Sequence, residues 1–110
     1  MRLIKPSKVV FADNELENTY NSLKADSDLK KWVKRAIEDI EKNAFCSIPL
    51  PKRLIPDIYK KKYSIQNLWK YDLPEGWRLI YTITTPNKVE IISVILDWFD
   101  HSQYERRFNY

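Results

Sequence analysis

Apolar residues at Leu29, Trp32, Val33, Ala36, Ile37, Ile40 and Ala44 recur every three or four positions, while Lys30, Lys31, Lys34, Arg35, Glu38, Asp39, Glu41 and Lys42 fill the places between them. That period predicts an amphipathic helix starting at Asp26 or Ser27. Ahead of it, Leu16, Tyr20 and Leu23 form a shorter stripe at the same spacing, and Asn14 with Glu17 has the form of a capping box at its start. The short link between the two stripes predicts an antiparallel helical hairpin. Residues 8–12 (KVVFA) precede the hairpin as a β-branched and aromatic run, a first strand.

The period changes to two in the last third of the chain. Residues 68–73 (LWKYDL) and 77–84 (WRLIYTIT) flank Pro74-Glu75-Gly76, the composition of a three-residue hairpin loop with Gly at a left-handed position. A register that sets Asp72 opposite Arg78 sets Lys70 opposite Ile80, so Lys70, Asp72 and Arg78 share one face. Trp69, Tyr71, Leu73, Trp77, Leu79, Tyr81 and Ile83 then share the other, which predicts packing on the helices. Residues 89–99 follow the turn at Pro86-Asn87-Lys88 as a strand apolar on both faces, and so a central one. Residues 100–108 read as a short terminal helix. Between the helices and the hairpin, residues 46–66 hold Pro49, Pro51 and Pro56 and predict a long irregular connection. The order is β-α-α-β-β-β-α: an α+β fold with an N-terminal strand, an antiparallel helical hairpin, an antiparallel three-strand meander and a short C-terminal helix. At 110 residues the expectation is one domain spanning 1–110.

Composition narrows the class. The chain is 44% hydrophobic and 14% aromatic with a single glycine, which argues against disorder and flexible linkers. Its most apolar stretch, residues 91–96, falls far short of the ~20 residues of a membrane span. No secretory signal is visible at the start, and the expected location is cytoplasmic. Cys46 stands alone, so neither an intrachain disulfide nor a cysteine zinc site is expected. The net charge of +4 is unevenly spread. Lys52, Arg53, Lys60, Lys61, Lys62 and Lys70 stand against Asp57 alone in residues 52–70. Such a patch is the footprint of a nucleic acid or an acidic protein, or else a solubilising loop.

Several site classes fail. One glycine supports neither a Gly-rich phosphate loop nor a nucleophile elbow. Asp97, Asp100 and His101 are close in sequence, but strand alternation puts the two carboxylates on opposite faces; no metal and no cofactor are expected.

The segment LWKYDLPEGWRLIYTI (68–83) resembles the RelE/ParE superfamily of toxins from type II toxin–antitoxin systems, with a Lys-bearing strand, a tight Gly-containing turn and an aromatic-Arg-Leu-Ile-Tyr strand. Residues 95–104 (ILDWFDHSQY) are similar to the family's end, where a strand leads to a His and a Tyr. The resemblance implies a toxin that enters the ribosomal A site and cuts mRNA without a metal. It implies that Arg78 contacts the scissile phosphate, that Lys70 is a second cation, and that His101 or Tyr104 supplies the acid/base group. It further implies a cognate antitoxin whose acidic, partly disordered segment folds over the basic surface. Asp72 departs from the pattern, standing where some relatives carry a second Lys.

Metal-free RNA cleavage requires a base for the 2′-OH, cations for the phosphorane and an acid for the 5′-oxygen. A guanidinium such as Arg78 forks onto phosphate oxygens and stays charged, and Lys70 adds a point charge. Imidazole, with a reference pKa of about 6.5, makes His101 the side chain suited to proton transfer near neutrality. Tyr104, with a reference value of about 10, needs cations nearby, such as Arg106 and Arg107. Those two arginines join Lys52, Arg53, Lys60, Lys61 and Lys62 as candidate nucleic-acid contacts. Arg78 with Asp72 reads equally as a cross-strand ion pair. Two other functions stay open: a ParE-like DNA gyrase inhibitor, and a non-catalytic relative that binds only an antitoxin or RNA.

Overall fold

A computed structural model describes residues 5–87 and 89–108. The first strand, β1 (Lys8–Phe11), leads into α1 (Asn14–Ser22) and α2 (Asp28–Lys42). Asp13, not Asn14, caps α1, its Oδ1 accepting from Leu16 N at 2.8 Å. Asp13 is extended (φ −151°), as a cap residue must be, whereas Asn14 is already helical. Ser27 caps α2 by accepting from Lys30 N, and Asp28 and Lys42 sit at the ends that suit their charges.

The predicted connection over 46–66 is largely structured. It contains the two-residue strand β2 (Ile48–Pro49), a 3₁₀ turn (Lys52–Leu54) and a helix, α3 (Asp57–Tyr63). The prolines sit at the boundaries of these pieces rather than abolishing them. Pro49 lies in an edge strand and Pro56 just ahead of the first turn of α3, places where a missing N–H costs little. Strands β3 (Trp69–Asp72), β4 (Arg78–Thr84) and β5 (Ile92–Phe99) follow, then α4 (His101–Phe108).

The sheet is five-stranded and mixed, in the order β1-β5-β4-β3-β2, and not a three-strand antiparallel meander with a separate first strand. β1 joins it in parallel on β5, from Lys8 opposite Ile92 to Phe11 opposite Ile95. β2 joins on the far side, Ile48 opposite Lys70. Both additions come from the need to pair exposed backbone: β5 and β3 would otherwise be edges. The hairpin register matches expectation, with Asp72 opposite Arg78 and Lys70 opposite Ile80.

A bulge in β5 sets how the faces are filled. Tyr81 pairs with Ile95 and Ile80 with Asp97, so Leu96 is the extra residue. Ile95 and Trp98 face one core, with Val33, Ala36 and Ile40 of α2 and Leu79 and Tyr81 of β4. Trp69, Tyr71, Trp77 and Ile83 pack on that same core, as the alternation predicts. Leu96 and Phe99 face a second core with Ile80, Ile55, Tyr59, Tyr104 and Phe108. The protein is therefore layered, α1 and α2 on one face of the sheet and α3 and α4 on the other. Lys70 and Arg78 emerge on the second face, beside α4.

Candidate anion site

The site begins with the hairpin. Leu73 N donates to Trp77 O at 2.8 Å, closing a loop in which both Glu75 (φ 59°) and Gly76 (φ 77°) are left-handed. A single left-handed residue is the usual need of a three-residue loop, and here there are two. The tight turn holds Asp72 and Arg78 in direct opposition, with Lys70 two residues back on the same face.

Asp72 Oδ1 lies 3.3 Å from Lys70 Nζ and 3.1 Å from Arg78 Nε. One carboxylate oxygen therefore serves two cations. Both cationic side chains are only 18% exposed, whereas Asp72 is 49% exposed. The Arg78 contact is an ion pair without hydrogen-bond alignment, for the buried Nε has no aligned acceptor. Arg78 NH1 donates to Gly76 O at 2.6 Å, which anchors the guanidinium to the hairpin loop.

Beneath the cations lies an aromatic floor. The Tyr104 ring centroid is 5.2 Å from Arg78 Cζ and 5.7 Å from Lys70 Nζ. Phe99 pairs directly with Arg78 across β4 and β5, and its ring meets Tyr104 at 5.9 Å. Tyr104 also stacks on Phe108 at 4.5 Å and is buried. An aromatic face supports a cation through its quadrupole, and it fixes where the charge sits.

His101 opens α4 next to the hairpin. A Cβ on Gly76 would lie 3.1 Å from His101 Cβ, so the imidazole stem rests on the loop that also holds Arg78. His101 Nε2 is 2.8 Å from Glu105 Oε1, and both side chains are exposed. Asp100 precedes the helix rather than extending the strand. Its Oδ1 accepts from Gln103 N at 2.9 Å and Gln103 Oε1 accepts from Asp100 N at 3.0 Å, a reciprocal cap. Among the described residues no group of acidic, His and Cys side chains is placed to hold a metal.

The basic residues outside this cluster divide into two kinds. Lys52 and Arg53 on the 3₁₀ turn, Lys60, Lys61 and Lys62 on α3, and Arg106 on α4 are exposed. Arg107 is exposed too, and in addition it serves the packing of α4 on α3. Its NH1 donates to Tyr59 Oη at 2.9 Å and lies 3.9 Å from Asp97 Oδ2, and its guanidinium covers the Tyr59 and Phe99 rings. Tyr59 is buried, and desolvation raises its pKa well above the ordinary phenol value. Asp97 is raised from its ordinary value mainly by burial, against the lowering effect of Trp98 N–H, Arg107 and Lys62.

A groove of about 410 Å³ adjoins the cluster at the sheet edge, bounded by Lys70, Asp72, Ile48, Lys42 and Asp39. A second cleft of about 320 Å³ lies between α1 and α3, bounded by Asp13, Leu16, Tyr59, Tyr63, Asp97 and Arg107. Lys70 and Arg78 thus share a face as the hairpin register predicts, the Tyr104 ring lies under both, and His101 sits on the same hairpin loop. The double engagement of Asp72 and the tether from Arg107 to Tyr59 go beyond that reading. Only the Asp72 pairing had a signal, its register opposite Arg78. No described helix is long and apolar enough to cross a membrane. Comparison of the chain with family models, with curated proteins and with solved structures found no match.

Proposed function

We propose that this chain is a RelE/ParE-like toxin that cleaves mRNA on the ribosome, without a metal, in the cytoplasm. The observation that supports the reading is the pair of half-buried cations, Lys70 and Arg78, held side by side over Tyr104, with Arg78 anchored by Gly76 O. A preorganised pair of this kind is what a developing dianionic phosphorane requires, because the donors need no reorientation as charge accumulates.

In the proposed reaction the RNA 2′-oxygen attacks phosphorus, the bond to the 5′-oxygen breaks, and a 2′,3′-cyclic phosphate forms. Arg78 and Lys70 neutralise the phosphorane oxygens. His101, exposed beside the hairpin loop, takes the 2′-OH proton as base and returns it to the departing 5′-oxygen as acid. Tyr104 supports the cations through its ring, since its side chain is only 3% exposed. The exposed lysines of α3, with Lys52, Arg53 and Arg106, give a basic surface for the RNA or for the acidic segment of an antitoxin.

One observation favours a second reading. Asp72 neutralises charge at the centre of the site, as suits a non-catalytic relative that binds only an antitoxin or RNA. The deciding experiment gives purified protein to a translating cell-free extract and maps mRNA 5′ ends for wild type and Arg78→Ala. In-frame cuts that vanish in the variant are the expected result. Intact mRNA with a folded wild-type protein overturns the ribonuclease reading, and a gyrase supercoiling assay then separates a ParE-like inhibitor from the non-catalytic relative.

A further inference from the structure

We infer that the Asp72 carboxylate is an intramolecular stand-in for a phosphate, occupying the Lys70–Arg78 anion site and yielding it when a nucleic-acid phosphate enters. The inference deepens the proposed function and rests on it only in taking a phosphate diester as the ligand.

Three features carry it. First, a single oxygen, Asp72 Oδ1, sits within 3.3 Å of both cations, the arrangement that one phosphate oxygen would adopt between them. Second, the occupant is weakly held. Asp72 is 49% exposed at the end of β3, and an ion pair at that exposure is screened by water and salt. Third, the contact leaves a donor unused. Arg78 Nε is buried beside Asp72 Oδ1, yet its N–H is not aligned on that oxygen. A guanidinium prefers two parallel N–H···O bonds to an oxyanion, and a short side chain from the neighbouring strand meets it off that axis. A diester entering from solvent has no such tether.

The cations have contacts of their own that do not involve Asp72. Arg78 is tied to Gly76 O and both cations rest on Tyr104, so the site stays formed when the carboxylate swings away. Asp72 then acts on affinity by simple competition: the apparent dissociation constant is the intrinsic one divided by the fraction of molecules with the site open. It also rejects ligands that bring too little negative charge to displace it.

The test measures binding of a fluorescein-labelled, 2′-O-methylated 12-nucleotide RNA, which cannot be cleaved, to the full chain at fixed ionic strength. Asp72→Asn keeps the side-chain shape and removes the competing charge. The expected result is an affinity gain of about five- to tenfold, the range set by a carboxylate that holds the site some 80–90% of the time. Glu75→Gln, which removes one exposed negative charge from the same hairpin, should give less than twofold. The Asp72→Asn gain should also disappear in an Arg78→Gln background. Unchanged or weaker binding by Asp72→Asn overturns the inference, as does an equal gain from Glu75→Gln or persistence of the gain without Arg78. Tighter binding by Asp72→Asn, with no mRNA cleavage by wild type in the extract, upholds the inference while the ribonuclease reading fails. Cleavage by wild type with unchanged binding by Asp72→Asn does the reverse.

Discussion

The Arg78 guanidinium lies 5.2 Å from the centroid of the Tyr104 ring, on a side chain that is 3% exposed. A strand residue and a helix residue 26 positions apart are thereby joined into one cationic platform. The Lys70 ammonium also lies over this ring, 5.7 Å from its centroid.

That relationship separates two roles for Tyr104. Tyr104→Phe keeps the platform and should retain mRNA cleavage within about threefold in the extract assay, for a cation–π contact survives loss of the hydroxyl. Tyr104→Leu removes the aromatic face and should reduce cleavage at least tenfold, because both cations lose the ring that fixes where their charge sits. It should also cost roughly 2–4 kcal/mol of stability through lost core packing, measured by urea unfolding. A Tyr104→Phe variant as inactive as Tyr104→Leu, yet fully stable, assigns the proton-transfer role to the hydroxyl instead.

Gly76 carries two constraints at once. Its φ of 77° is unfavourable for any side chain with a Cβ, and an added Cβ would come within 3.1 Å of His101 Cβ. The first costs roughly 1–2 kcal/mol, and relief of the second has to move His101 or the loop. Gly76→Ala should therefore lower stability by about 1–3 kcal/mol. It should impair cleavage even at temperatures where the variant is folded, because the Gly76 carbonyl anchors Arg78. Full activity in a destabilised variant would separate the loop from the site.

Asp97 sets a pH dependence. Burial raises its pKa above the ordinary aspartate value of about 3.9. The folded protein therefore holds that proton more tightly than the unfolded chain does. As pH rises from about 3.9 through the raised folded value, Asp97 therefore contributes a progressively larger penalty, complete above it. Asp97→Asn removes this titration. Wild-type stability relative to Asp97→Asn should fall across that interval and be flat above it, as read by urea midpoints from pH 3.5 to 7. A difference that grows in favour of wild type with rising pH contradicts the assignment and points to the Arg107 ion pair, at 3.9 Å, as the larger effect.

Periodicity alone carried much of the local structure. The stripe from Leu29 to Ile40 sets α2 and its buried face, since a helix in water must bury such a stripe, while Ala44, expected on the same stripe, lies beyond the helix end at Lys42. The hairpin register followed from Pro74-Glu75-Gly76, because a short loop leaves few pairings that keep Trp69, Tyr71, Leu79 and Tyr81 on one side. With that register came the common face of Lys70, Asp72 and Arg78. What the chain's local pattern does not encode is which strand lies beside which, because a strand's pattern states that it is buried and not by what. The parallel docking of β1 on β5 and the recruitment of Ile48–Pro49 as an edge strand were decided by distant backbone in need of partners. The bulge at Leu96, the packing of α3 and α4 as a second layer, and the placing of Tyr104 under two cations were decided in the same way. Residue types determined that this protein has cations, an imidazole and aromatic rings near one hairpin. Tertiary packing determined that an aromatic ring lies under those cations, since only the docking of α4 on the sheet brings Tyr104 within 5.2 Å of Arg78 Cζ and 5.7 Å of Lys70 Nζ.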